Sequence, residues 1–129
     1  MAQIKIYGLR EHLDPVKREL SDAIHSCVVE VLKFPAGKRA HRFFPMEAAD
    51  FSYPDSASPR YTLIEISMFE GRSVETRKAL IRLLFRRIGE RCARLPNEIE
   101  ITITETPRHN WGFRGQPGDE LGLAYRVEV

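Results

Sequence analysis

Hydrophobic positions recur along the chain with two different periods, and the switches between them mark the elements. In "QIKIY", residues 3–7, Ile4 and Ile6 alternate with Gln3, Lys5 and Tyr7, the period of a half-buried strand. In "LDPVKRELSDAIHSCVVEVLK" the period lengthens, and Val16, Leu20, Ile24, Cys27 and Val31 share one helical face, with Asp14 expected as the N-cap and Pro15 at the first helical position. Phe34-Pro35 ends that helix, and "AHRFFPM" supplies a second strand.

The same order then recurs. "YTLIEISMF" alternates as a strand, Ser73 caps a helix striped by Leu80, Leu84, Ile88 and Cys92, Pro96 stops it, and "EIEITITE" sets Ile99, Ile101 and Ile103 on one side. Ile4 and Ile64, Asp14 and Ser73, and Pro35 and Pro96 all lie about sixty residues apart, so the chain reads as a duplicated βαβ unit. Each unit makes two parallel strands joined by a right-handed crossover. Two units side by side predict an α+β fold, a four-stranded sheet with two helices on one face. The other face, with Lys5, Glu65, Ser67, Glu100 and Thr102 among apolar neighbours, has the mixed character of a subunit interface. The expected divisions of a single domain are 1–46 for the first half, 47–60 for a linker, 61–105 for the second half and 106–129 for a loop followed by a C-terminal strand, "LGLAYRVEV", suited to pairing with a neighbouring subunit.

A length of 129 residues suits one domain with its own core. Twenty basic against eighteen acidic residues give a formal charge of +2, no electrostatic case for nucleic acid or an anionic membrane. No apolar run is long enough to cross a bilayer, and the amino terminus has no leader pattern, so a cytoplasmic protein is expected. Cys27 and Cys92 fall inside apolar helical stripes and read as buried thiols, and the four histidines show no ligand spacing, so no metal site is expected.

Chemistry therefore falls to arginines at element ends: Arg39 and Arg42 beside the second strand, Arg72 in "FEGRSVE" and Arg114 in the glycine-rich stretch "ETPRHNWGFRGQPGDE". An arginine just ahead of a helix sits where backbone amides already favour anions, so Arg72 could clamp a carboxylate; a surface arginine closing a turn is the alternative reading of the same spacing.

"FEGRSVETRKALIRLL", followed by "ITETPRHNWGFRG", resembles the tautomerase superfamily of 4-oxalocrotonate tautomerase, in particular the long fused members that include malonate semialdehyde decarboxylase. The resemblance covers nearly the whole chain, with the first half as the degenerate partner. It implies a homotrimer, no cofactor, and a pocket at the start of the first strand, where an N-terminal proline moves protons and arginines hold a small carboxylate. Carried over by position, Arg72 is the arginine of the "EGRS" motif, Trp111 the loop aromatic, and Arg114 stands where short members have glycine. Ala2 stands where the family has proline, so removal of Met1 would offer a primary amine instead. The implied activity is keto–enol isomerisation of a small 2-oxo or unsaturated carboxylate, with Ala2 as proton carrier, Arg72 with Arg42 or Arg39 as anchors, and Trp111 and Phe113 excluding water. The alternatives are a trimer that binds a small acid without turnover, and a related decarboxylase or hydratase using Glu70, Glu65 or His109.

Overall fold

The computed structural model describes residues 2–129. Strand β1 (Ala2–Leu9) is followed directly by a short helix α1 (Arg10–Leu13), a 3-10 turn over 14–16 and helix α2 (Lys17–Leu32). Strand β2 (His41–Met46) completes the first half. The second half comprises β3 (Thr62–Phe69), α3 (Val74–Cys92) and β4 (Ile99–Thr106), and a small hairpin of β5 (Gly112–Phe113) and β6 (Gln116–Pro117) follows. The sheet order is β2-β1-β3-β4, parallel within each half and antiparallel where β1 meets β3. This is the duplicated βαβ sheet that the periodicity predicts.

Alternation explains which side is buried. Ile4, Ile6, Ile64, Ile66 and Met68 are at most 2% exposed and face the helices, while Lys5, Tyr7, Glu65 and Ser67 stand on the open face. The open face is mixed: Lys5 lies opposite Glu65 across the seam, and Tyr7 stacks on Phe44 at 4.8 Å between ring centroids. On the covered side Leu20, Ile24, Cys27 and Leu32 of α2 meet Leu80, Leu84 and Ile88 of α3 in one core. Among the described residues no helix is long and apolar enough to cross a membrane.

One expectation about local structure is corrected. Asp14 is not an N-cap: helix begins at Arg10, Asp14 has helical angles (φ −53°, ψ −44°), and its carboxylate pairs with Lys17 at 2.6 Å and Arg10 at 3.7 Å. Leu13, 1% exposed, packs close to Gly8 and pulls the chain into a helical turn immediately after β1, so Pro15 falls in a 3-10 step instead of opening the helix. Residues 121–129 form no strand within this chain. The segment is anchored by side-chain packing: Val127 is fully buried beside Gly71, and Val129 accepts a hydrogen bond from the Ser73 amide at 3.1 Å.

Ser73 is the cap the sequence indicates, its hydroxyl accepting from the Thr76 amide at 3.1 Å. Ser73→Ala is therefore expected to cost about 1 kcal/mol of folding stability. Urea unfolding of the two proteins measures it, and an unchanged midpoint would show that the cap contributes nothing.

Candidate functional site

At the start of β1 a cavity of about 280 Å³ opens between the two halves. Ala2, 5% exposed, forms its floor; Phe34 and Phe113 wall it; and Lys38, Arg39 and Arg114 bring three cations to its lining, with Gly37 and Ala40 completing the turn ahead of β2. Each is placed by a local feature. Helix α2 ends at Lys33 in the left-handed region (φ 58°), which throws Phe34 back over the core, and 34–40 then return to pair β2 beside β1. The hairpin turn between β5 and β6 holds Arg114 at φ 53° and Gly115 at φ 80°, both left-handed, as a tight two-residue hairpin requires. That explains why glycine suits position 114 and why an arginine there is held by other contacts: its guanidinium lies over the Phe113 ring at 5.0 Å.

The sequence-derived candidates divide. Ala2, Arg39, Phe113 and Arg114 meet at the cavity, whereas Arg42, Trp111 and Arg72 do not line it. Arg42 pairs in register with Lys5 and is exposed on the open sheet face, because strand alternation sends it to the opposite side from His41. Trp111 packs edge-on against Phe69 at 5.1 Å, and its carbonyl accepts from the Gly118 amide at 2.6 Å, so it braces the loop from behind. Arg72 is 4% exposed, donates from Nη1 to the Phe69 carbonyl at 3.1 Å and lies over the outer wall, with the guanidinium carbon 5.6 Å from the Phe34 ring centroid.

The cations differ in freedom. Arg39 is tied to helix α2, Nη1 donating to Asp22 at 2.6 Å and to Ser21 Oγ at 3.2 Å. Ser21 Oγ in turn lies 2.8 Å from His41 Nδ1. Burial, with Arg39 adding like-charge repulsion, pushes the His41 pKa down to about 4 and keeps the ring neutral at neutral pH. Burial likewise pulls the Arg72 guanidinium below the usual arginine range, with Tyr125 opposing that shift. Cys27 and Cys92 are buried, and burial raises both thiols.

The repeat supplies an internal comparison. Ile4 pairs with His41 as Ile64 pairs with Ile101, and the left-handed helix ends Lys33 and Ala93 are also sixty apart. On that offset Ala2 corresponds to Thr62, Phe34 to Arg94 and Lys38 to Glu98. In the second half the space is filled: Arg94, 5% exposed, donates to His12 O at 2.6 Å, Cys92 O at 3.4 Å and Thr62 Oγ1 at 3.4 Å, and buried Glu98 accepts from the Leu95 amide at 2.7 Å and from Ser58. Arg94 and Glu98 are committed to partners within the chain, whereas Phe34 and Lys38 line the cavity.

A family model described as tautomerase enzyme matches residues 38–114. The chain belongs to the tautomerase family. A 2-hydroxymuconate tautomerase from Comamonas testosteroni is 36% identical over 58 residues, which are 45% of this chain and 92% of that protein. Among solved structures, a malonate semialdehyde decarboxylase superposes with a TM-score of 0.81 at 21% identity, covering 92% of this chain and 99% of that one. A fused 4-OT solved as an asymmetric trimer gives 0.81 at 20% identity, covering 94% and 99%.

Phe34 and Lys38 are the lining residues of this tautomerase chain that its motifs do not flag. They sit in the turn "FPAGK", whose composition suggests only a helix stop. The usable signal lies in the comparison of halves, where Phe34 faces Arg94 and Lys38 faces Glu98 across the repeat.

The neutral, half-buried His41 makes stability depend on acidity. Between its ordinary value of 6.5 and about 4, the unfolded chain holds a proton on this residue that the folded chain lacks, so stability falls as pH drops through that window. In His41→Gln this part of the pH dependence should vanish. Urea titrations at several pH values test it, and parallel wild-type and variant profiles would count against the burial of a neutral ring.

Proposed function

We propose that this tautomerase-family chain isomerises a small 2-oxo or unsaturated carboxylate at the Ala2 cavity. The observation that carries the reading is the meeting, at the start of β1, of Ala2 with Lys38, Arg39 and Arg114 between two phenyl rings. The cations offer charge-assisted hydrogen bonds to a carboxylate, and the rings exclude water from the carbon that gains or loses a proton. With Met1 removed, the Ala2 amine is the proton carrier. Three neighbouring positive charges and burial disfavour its ammonium form and lower its pKa toward neutrality, where a base works best. The carboxylate anchors are then Lys38, Arg39 and Arg114 in place of Arg42.

The trimeric fused 4-OT supports the same assembly here. The open sheet face, with the Tyr7–Phe44 stack and the Lys5–Glu65 pair, is the surface that would be shared. A second reading, binding of a small acid without turnover, is favoured by alanine standing where the resemblance places proline, since a primary amine is a less specialised proton carrier.

Mass spectrometry of the amino terminus and a ketonisation assay with phenylenolpyruvate separate the two readings. Methionine removal with measurable turnover is expected, and Ala2→Pro should raise the rate about tenfold or more. Retained Met1 without turnover would remove the amine mechanism. Losing one charge-assisted contact costs on the order of 1.5–3 kcal/mol, so Arg114→Ala and Lys38→Ala should each raise KM roughly tenfold or more. An unchanged KM in both would take the carboxylate away from this cavity.

A further inference from the structure

Behind the Phe34 wall lies a second group of cations that the cavity does not reach. Arg72 stands directly ahead of the 19-residue helix α3; its Nε and Nη2 are buried without a hydrogen bond of ordinary geometry, and the acceptor that the guanidinium shares is the Tyr125 phenol. A planar guanidinium served there only by a phenol has donors that a carboxylate would satisfy better. Its cover is Tyr125. The Tyr125 ring packs on Phe34 at 4.7 Å between centroids, Lys38 Nζ lies 5.3 Å above the same ring, and the phenol interacts with the Arg72 guanidinium. Tyr125 therefore touches a wall and a cation of the cavity on one side and the buried arginine on the other.

The charges around that phenol have one sign. Arg72, Arg108 and Arg114 all act on its hydroxyl. Of these, Arg108 has a counter-ion in exposed Glu128 at 3.2 Å, and nearby Glu105 is engaged by Arg77 at 3.0 Å. Burial raises the Tyr125 pKa, so a neutral hydroxyl occupies a place where arginine fields converge. An anion would be held there more strongly than a phenol. The backbone need not detach for Tyr125 to leave, because the segment is pinned beyond it: Val127 is buried against Gly71, and Val129 is bonded to Ser73.

We infer that Tyr125 is a gate between the cavity and Arg72: a ligand carboxylate displaces its side chain and gains Arg72, while a neutral carbonyl compound leaves the gate closed. This rests on the reading of the cavity as a carboxylate site, and it adds a residue beyond the motifs that define that reading. Opening costs the ring packing on Phe34 and Lys38. Only a ligand whose carboxylate takes the place of the phenol at Arg72 repays that cost.

Two measurements on the full chain decide it. Phenylglyoxal labelling of Arg72, read by peptide mass spectrometry, should be at least tenfold faster in Tyr125→Ala than in the wild type. Calorimetry with phenylpyruvate should give a Kd about tenfold lower in Tyr125→Ala, with the Kd of its methyl ester changed less than threefold. Tyr125→Phe keeps the ring on Phe34 and guards against a folding defect; it should tighten phenylpyruvate by a smaller factor. In Arg72→Lys the gain from Tyr125→Ala should disappear. Equal Arg72 labelling and equal phenylpyruvate Kd in the wild type and both Tyr125 variants would overturn the gate and leave the carboxylate reading intact. Absence of phenylpyruvate binding in all of them would overturn both.

Discussion

Everything at the site depends on the antiparallel seam between β1 and β3. Ile4 faces Ile66 and Ile6 faces Ile64 across it, all at most 2% exposed, and the pairing puts the start of each strand beside the end of the other. Ala2 consequently lies opposite Met68, one residue before Phe69 and four before Arg72. A chemically useful end is thus assembled from both halves: the floor and turn from the first, the arginine and hairpin from the second. Because strand faces alternate, a one-residue slip would carry Ala2 to the open face and dismantle the cavity while leaving most of the sheet hydrogen bonds in place.

The seam also makes two such ends, and the buried arginines at them are satisfied differently. Arg94 spends its donors on His12, Cys92 and Thr62, so its burial is compensated inside the chain. Arg72 is equally buried, but beyond the Phe69 carbonyl its guanidinium has only the Tyr125 phenol. Burial alone would rank the two arginines together; the hydrogen-bond inventory divides them.

What the sequence discloses follows the range of the forces involved. The strands, the helix stripes, Ser73 as a cap and the sixty-residue repeat are local patterns, and each is legible from alternation, from 3.6-residue spacing or from one side chain. Ala2, Arg39, Phe113 and Arg114, named from element ends or from the resemblance, line one cavity because the sheet brings those ends together. Asp14 misleads because its signal is local and the force that decides it is not: Leu13 against Gly8 starts the helix early. Trp111 has the composition of a pocket wall and becomes a brace because Phe69 stands behind it. The depth of Arg72 and the role of Phe34 arise only when the two halves pack.

In the proposed reading, the cations that would draw a carboxylate into the cavity would also act on the proton affinity of an amine at Ala2, and the two effects are linked. Lys38, Arg39 and Arg114 in the lining would disfavour its ammonium form before a carboxylate binds. A bound carboxylate cancels part of that positive field and raises the amine's proton affinity. By reciprocity, taking up a proton from the ligand tightens the hold on its carboxylate. Isomerisation needs this sequence of strengths: a base on arrival, then an acid able to return the proton one or two carbons away while the ligand stays anchored. In the proposed reading, a primary amine in this field would acquire by electrostatics part of what a proline supplies by structure.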